Sequence, residues 1–405
     1  MLGLALEGGG AKGAFHMGVV KAFLEEGYEF GGITGTSIGA FNGAVIAQGD
    51  FEEGYKLWET MDTTLLFDIE EAQYKKLIKR ELDIDTAIHI ALRLKNFIEK
   101  KGIDTSKIRQ VVESIVDEEK LRKSNMDYGL VTVSISDLKP LELYKEDIPE
   151  GKLIDYIMAS ASFPGFKLEP IENKYYIDGG FYDNCPINLL ARKGYREIIA
   201  VRTLVIGIVQ DIKYPDVKVT NIIPSEDLGK ILVFDNNLIH RNLKMGYYDA
   251  MRSIKGLKGK KYYIKPLNED VFLKILLSVP EKSIVKLGKL FGIKDMNYKR
   301  MLFEKIVPKI AEMAKVEASA AYQDIIICML EKLAEENGVD RFNIYTFNDF
   351  LEEIKKAAVN PKNSSKERNH KIVRNTKLVN GLSRKIIFRE AVQEIFNGII
   401  YQEKQ

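Results

Sequence analysis

Gly31-Gly32-Ile33-Thr34-Gly35-Thr36-Ser37-Ile38-Gly39, followed by the small apolar run 40–47, is the stretch on which the fold turns. Within it, Gly35-Thr36-Ser37-Ile38-Gly39 is a G-x-S-x-G between an apolar strand and a helix of small residues. Glycines on both sides let the chain turn sharply at Ser37, lifting its hydroxyl above the end of a sheet and leaving room for a carbonyl to approach. The pentapeptide alone also fits an ordinary strand-to-helix turn with Ser37 as the cap. Its setting raises it above that. Residues 2–6 read as a short buried strand, the glycines of 8–13 break it, and Phe15, Val19, Phe23 and Leu24 fall at helical spacing up to Gly27. Strand, glycine turn, helix, sharp turn, helix predicts an α/β sheet with parallel strands and ligand chemistry at their carboxyl ends.

Strand signals return at 129–134, 141–144, 198–201, 217–223 and 262–264, with a periodic helix containing Ile231, Phe234, Leu238, Leu243 and Tyr247 between the last two. These predict an α/β domain over 1–266. The charged, strandless stretch at about 51–123, whose best stripe is Ile88 and Leu92, reads as a helical insertion. Beyond 267 strands vanish and helical segments follow at 271–277, 284–290, 299–316, 319–336 and 347–358, so 267–405 reads as a helical C-terminal region.

Composition sets the outer limits. With 405 residues, 45% hydrophobic and 29% charged, the chain buries a sizeable core and is neither disordered nor collagen-like. A net charge of +2 argues against a surface given over to nucleic acid. Two cysteines, Cys185 and Cys328, rule out a disulfide framework or a cysteine zinc site, and a reducing cytoplasmic home fits them. No secretion signal is read at the N-terminus, and no window approaches the roughly 18 apolar residues that span a bilayer. Neither a metal nor a cofactor is called for.

Gly8-Gly9-Gly10-Ala11-Lys12-Gly13 admits two readings. As G-x-G-x-x-G it would hold a pyrophosphate on backbone amides at a helix start. As an oxyanion hole the same amides would hold the negative oxygen of an acyl intermediate. A dinucleotide site wants an acidic residue at the end of the second strand, where this chain has its G-x-S-x-G, and that favours the oxyanion hole. No G-K-[ST] is present for a nucleotide-triphosphate loop. Lys12 either adds positive field at this loop or is an exposed helix-start lysine.

A nucleophilic serine needs a base. His16 and His89 read as core or helix-surface residues, and His240 and His370 lack turn context. A better candidate is Asp178 in Tyr175-Tyr176-Ile177-Asp178-Gly179-Gly180-Phe181-Tyr182-Asp183-Asn184-Cys185-Pro186, although Asp-Gly also makes ordinary hairpin turns. Asp183 is a second carboxylate close by.

Four blocks taken in order carry a resemblance: Leu6-Glu7-Gly8-Gly9-Gly10-Ala11-Lys12-Gly13, then Gly35 to Gly39, then Ala159-Ser160-Ala161-Ser162-Phe163-Pro164, then Asp178-Gly179-Gly180 with Asp183, Asn184 and Pro186. Over about the first 265 residues, including the helix around Arg241, Gly246 and Asp249, the chain resembles the patatin-like phospholipases. The resemblance implies a three-layer α/β/α core with a mostly parallel sheet and a Ser37-Asp178 dyad without histidine. It also implies the amides of Gly8 to Gly13 as oxyanion hole, Gly35 and Gly39 as the elbow glycines, and hydrolysis of acyl esters. The implied substrate is a lipid or lysolipid. A Ser-His-Asp esterase, a nucleotide-binding regulatory module and a silent scaffold are the competing readings.

Such substrates sit in membranes, and two stretches invite a peripheral contact with an anionic surface. Residues 271–291 mix large apolar side chains with Lys274, Lys282, Lys286 and Lys289, which reads either as a surface-seeking segment or, more simply, as a helical pair packed on the α/β core and split by Pro280. Residues 361–385 hold eight basic side chains against the single acid Glu367. The run lacks aromatic residues for base stacking, so no nucleic acid is expected.

Overall fold

A computed structural model of the chain describes residues 1–66, 102–293, 296–317, 320–359 and 387–396. The stripe at Ile88 and Leu92, His89, His370 and the basic run 361–385 lie outside them. The chain divides into two compact units, Met1–Ser253 and Ile254–Gln405.

The first unit is built on a sheet of β1 (Leu2–Leu6), β2 (Phe30–Thr36), β3 (Asp127–Ser134), β4 (Lys139–Tyr144), β5 (Tyr176–Asp178), β6 (Glu197–Val201) and β7 (Lys218–Ile222). Their order is β4-β3-β2-β1-β6-β7, with β5 also on β3. The pairs β2·β3, β1·β2, β1·β6 and β6·β7 are parallel, while β4 and β5 are antiparallel to β3. Between the strands run α1 (Ala14–Glu25), α2 (Ile38–Ala47), α3 (Phe51–Thr60), α4 (Thr63–Leu66), α5 (Ser106–Ile115), α6 (Glu118–Lys123), α7 (Leu153–Ser160) and α8 (Ile187–Lys193), and α9 (Asn236–Lys255) follows β7.

Strand alternation puts helices on both faces. Ala5 packs in a cluster with Ile187, Leu190 and Ala191 of α8. Its neighbour Leu6 points the other way, toward α2, where a Cβ at Gly39 would fall against the Leu6 carbonyl. The small residues of α2 therefore let that helix lie almost on the sheet. The core is thus a mostly parallel sheet with flanking helices.

In the second unit, α10 (Glu269–Leu277), α11 (Glu281–Leu290), α12 (Tyr298–Met301), α13 (Val307–Met313), α14 (Tyr322–Asn337) and α15 (Phe347–Val359) surround their own apolar core. Two findings revise the sequence reading here. The strand signal at 262–264 forms β8 (Tyr263–Ile264), which pairs with β9 (Ile344–Tyr345) in a separate sheet, so it belongs to the second unit and a strand does occur beyond 267. Two residues of strand pattern carry no information about which sheet will accept them. The segment at 271–291 buries Phe272, Leu276, Ile284 and Leu287 in the second unit's own core, which leaves its lysines as the solvent side of an amphipathic pair.

Candidate active site

The register of β3 explains why Ser37 and Asp178 meet. β4 occupies one edge of β3 from Gly129 to Ser134, and β2 and β5 share the other, β2 along Asp127 to Val131 and β5 along Thr132 to Ser134. β2 runs parallel to β3 and ends with Thr36 opposite Val131, whereas β5 runs antiparallel and ends with Asp178 opposite Thr132. Two strands arriving from opposite directions on one edge bring their carboxyl ends together, which sets Ser37, the residue after β2, beside Asp178, the last residue of β5.

At Ser37 the backbone adopts φ 57, ψ −123. A non-glycine residue held there costs roughly 1–3 kcal/mol and persists only when its surroundings fix it. Ser37 N donates to Ser160 Oγ at 2.9 Å, and Ser160 Oγ in turn donates to Val131 O at 2.7 Å, tying the elbow to the end of α7 and to β3. Ser37 makes no side-chain cap on α2, so its hydroxyl is left for other work. Gly35 and Gly39 are needed because the turn closes on itself: a Cβ at Gly35 would strike Gly39 O, and one at Gly39 would strike Leu6 O. Gly39→Ala is accordingly expected to destabilise the chain by about 3 kcal/mol. A urea midpoint unchanged from the parent would refute that close approach.

Asp178 is buried, with Oδ1 accepting from Gly180 N at 2.8 Å. Burial pushes its carboxyl up from the ordinary 3.8 to about 6, partly offset by the Gly180 amide and by the Ser37 hydroxyl. Asp183, the second carboxylate, is also raised by burial, to about 7. It does not reach the cavity beside Ser37. Its Oδ1 accepts from Cys185 N and Gln210 N, and its carbonyl accepts from Thr36 Oγ1, so it pins the loop after β5 under β2.

The glycine loop divides unevenly. Gly8 N donates to Asn184 O at 2.9 Å, Ala11 N to Ile231 O at 2.7 Å and Lys12 N to Gly9 O at 3.1 Å. These three amides are used inside the fold and are not offered to a ligand, contrary to the expectation for the whole stretch. Gly13 lies off the cavity, its carbonyl accepting from Asn42 Nδ2 at 3.0 Å. Gly9 (φ 156) and Gly10 (φ 54) line the cavity, and among the described residues their amides have no acceptor. Lys12 is buried rather than exposed: it lines the same cavity and donates to Thr203 O at 3.4 Å.

Ser37, Asp178, Gly9, Gly10 and Lys12 open into one cavity of about 500 Å³. Its remaining wall is mainly apolar, with Phe41, Val112, Met158, Phe163, Leu204 and Phe234 among the contributors. Asp178 is the single acid on it, and no histidine reaches it among the described residues. His16 is fully buried behind α2, where Asn42 Nδ2 lies 3.3 Å from its Nδ1 and burial lowers its pKa to about 3, keeping it neutral. His240 sits within α9 and away from the cavity wall. No cluster of three or more His, Cys, Asp or Glu is placed to hold a metal among the described residues.

Three contributors escaped the sequence reading. Ile231 and Phe234 precede α9 instead of lying in it, and Ile231 O fixes the glycine loop. The run 204–208 after β6 forms part of the cavity wall. Its signal was available, an apolar segment at the carboxyl end of a core strand, where open α/β sheets bind ligands. Glu7, whose carboxylate accepts from Thr203 N at 2.5 Å and Leu204 N at 3.0 Å and pairs with Arg202, fastens that run to the end of β1.

The profile of the patatin-like phospholipase family matches residues 4–191. Patatin-like phospholipase domain-containing protein 7 of Rattus norvegicus is 24% identical over 210 residues, 49% of this chain and 13% of that protein. An uncharacterized NTE family protein of Mycobacterium bovis is 29% identical over 189 residues, 46% of this chain and 45% of that protein. The chain therefore spans about an eighth of the rat relative and under half of the mycobacterial one. Among solved structures, VipD from Legionella pneumophila aligns over 100% of this chain and 93% of its own, at 16% identity and a TM-score of 0.39. Residues 4–191, which contain the glycine loop, the Ser37 elbow and Asp178, are thus matched as a patatin-like phospholipase domain.

Proposed function

We propose that this protein hydrolyses carboxylic ester bonds of membrane-derived lipids, in the manner of a phospholipase A or lysophospholipase, through Ser37 and Asp178. The observation that carries the reading is a serine held at φ 57 beside a buried aspartate on the wall of an apolar cavity. The names of the family and of the rat relative point to the same class of substrate.

In this mechanism Ser37 Oγ attacks the ester carbonyl while Asp178 takes its proton. The carbonyl oxygen, now negative, is held by the amides of Gly9 and Gly10, with the Lys12 ammonium adding positive potential at the same wall. Collapse of the tetrahedral species breaks the bond to the alcohol, which leaves with the proton from Asp178. A water molecule then attacks the acyl-serine, Asp178 again accepts a proton, and Ser37 recovers it as the fatty acid departs. The apolar wall receives the acyl chain and lowers the dielectric around the developing charge. Two available amides on an apolar cavity suit one oxyanion better than the several oxygens of a pyrophosphate.

The base must be a carboxylate to act. With Asp178 at about 6, kcat/KM for a soluble short-chain nitrophenyl ester is expected to be flat above pH 7 and to fall about tenfold per unit well below pH 6. A rate still flat down to pH 4.5 would mean that another group is the base. Peptide mapping after treatment with a fluorophosphonate tests the nucleophile directly: phosphorus on Ser37 is the expected result, and an unmodified Ser37 sinks the reading.

Among the described residues no helix is long and apolar enough to cross a membrane. We place the enzyme in the cytoplasm, where its free thiols Cys185 and Cys328 would stay reduced, and have it visit anionic membrane surfaces peripherally to reach substrate.

A further inference from the structure

Between β6 and β7 the chain passes through Thr203-Leu204-Val205-Ile206-Gly207-Ile208. Large apolar side chains here face water: Ile206 is 70% exposed, Leu204 55% and Ile208 47%. Leu204 also has φ 54, a left-handed conformation that a leucine adopts only under constraint. Exposure and backbone strain both oppose this arrangement, and polar anchors on either side maintain it. Thr203 N and Leu204 N donate to the buried Glu7 carboxylate. Further along, Ile208 N donates to Gly180 O at 3.0 Å, Asn184 N donates to Ile208 O at 2.6 Å, and Gln210 Nε2 donates to Tyr182 O at 2.7 Å. The loop is thus built onto the strand end below the glycine loop and onto the segment that follows Asp178.

Leu204 through Ile208 also line the Ser37 cavity, so the exposed apolar side chains continue its apolar wall outward. Two exposed lysines, Lys167 and Lys230, line the same cavity, whose one acid among the described residues is the buried Asp178. An apolar projection flanked by cations is complementary to a lipid surface, acyl chains within and phosphates at the rim. A protein partner recognised by such a patch would have no reason to sit where the acyl chain must enter.

We propose that residues 204–208 are an apolar finger that enters a lipid surface, setting the cavity mouth against the acyl chains, with Lys167 and Lys230 facing headgroup phosphates. The inference rests on the lipid-hydrolase reading of the cavity. It adds the route by which substrate leaves the bilayer without crossing water.

The test uses the full chain carrying Ile206→Trp. Trp58, the one native tryptophan, is fully buried, so the parent supplies the background emission. Vesicles of phosphatidylcholine and phosphatidylglycerol are expected to shift the emission at 206 to the blue, and the same vesicles with brominated acyl chains to quench it, while the parent changes little. In a Ser37→Ala background, Leu204→Ser with Ile206→Ser is expected to reduce vesicle co-sedimentation at least tenfold, with an unchanged circular dichroism spectrum showing that the fold survives. Equal emission with and without brominated lipid overturns the proposal, as does a blue shift that grows with protein concentration in the absence of lipid, which would make a second copy the occupant. Fluorophosphonate labelling in solution separates the two readings. Labelling without quenching removes the finger and keeps the hydrolase, and quenching without labelling does the reverse.

Discussion

Ser37→Ala is expected to lower kcat/KM for a fatty-acyl nitrophenyl ester by about 10⁴-fold or more, because the mutation removes the atom that forms the acyl bond and leaves only orientation and the Gly9 and Gly10 amides. The fold should survive the change, since the contacts that build the elbow use the Ser37 backbone and the glycines on either side, not the hydroxyl. Ser37→Gly separates strain from chemistry. It should be equally inactive but more stable than Ser37→Ala by about 1 kcal/mol, because glycine adopts φ 57 without penalty. Residual hydrolysis within tenfold of the parent in Ser37→Ala would remove Ser37 as the nucleophile.

Asp178→Asn should abolish hydrolysis, by about 10³-fold or more, and at the same time stabilise the protein at alkaline pH. The sign follows from linkage. Burial raises the folded-state value of Asp178 to about 6 from 3.8, so the folded state holds a proton that the unfolded chain has already released between those two values. The stability this provides is complete below 3.8 and is lost as pH rises through about 6, leaving a buried carboxylate that costs about 3 kcal/mol at pH 8. Asparagine has the same shape, carries no charge and can still accept from Gly180 N. Urea unfolding at pH 8 should therefore show a gain of that order, while at pH 3.5 parent and variant should unfold alike. An active variant would overturn the dyad, and a variant less stable than the parent at pH 8 would overturn the account of burial.

The parallel core was legible because short apolar strands alternate with helical spacing, and local periodicity depends on few long-range contacts. What was lost follows the same logic. Strand β5 is three residues long and flanked by turn residues, so its pairing with β3 could not be read from Tyr176, Ile177 and Asp178 alone. Ile231 and Phe234 fit a helical period with the residues of α9, yet they line the cavity in the segment before it. Lys12 looks solvated from its neighbours in sequence and is buried because Thr203, 191 positions later, folds over it.

By itself the sequence determined the elbow, since Gly35 and Gly39 admit a turn that larger residues would block, and it put an aspartate before two glycines where a strand ends. Only the tertiary structure decided that those two ends meet. β2 and β5 approach along one edge of β3 from opposite directions, and that pairing depends on registers between segments about 95 and about 45 residues apart. The same holds for the amides. The sequence offers Gly8 to Gly13 alike, and it is the carbonyls of Asn184 and Ile231, delivered by distant loops, that occupy some donors and leave Gly9 and Gly10. Backbone conformation is a local property of residue type, whereas the partner of a donor is set by whatever the rest of the chain brings to it.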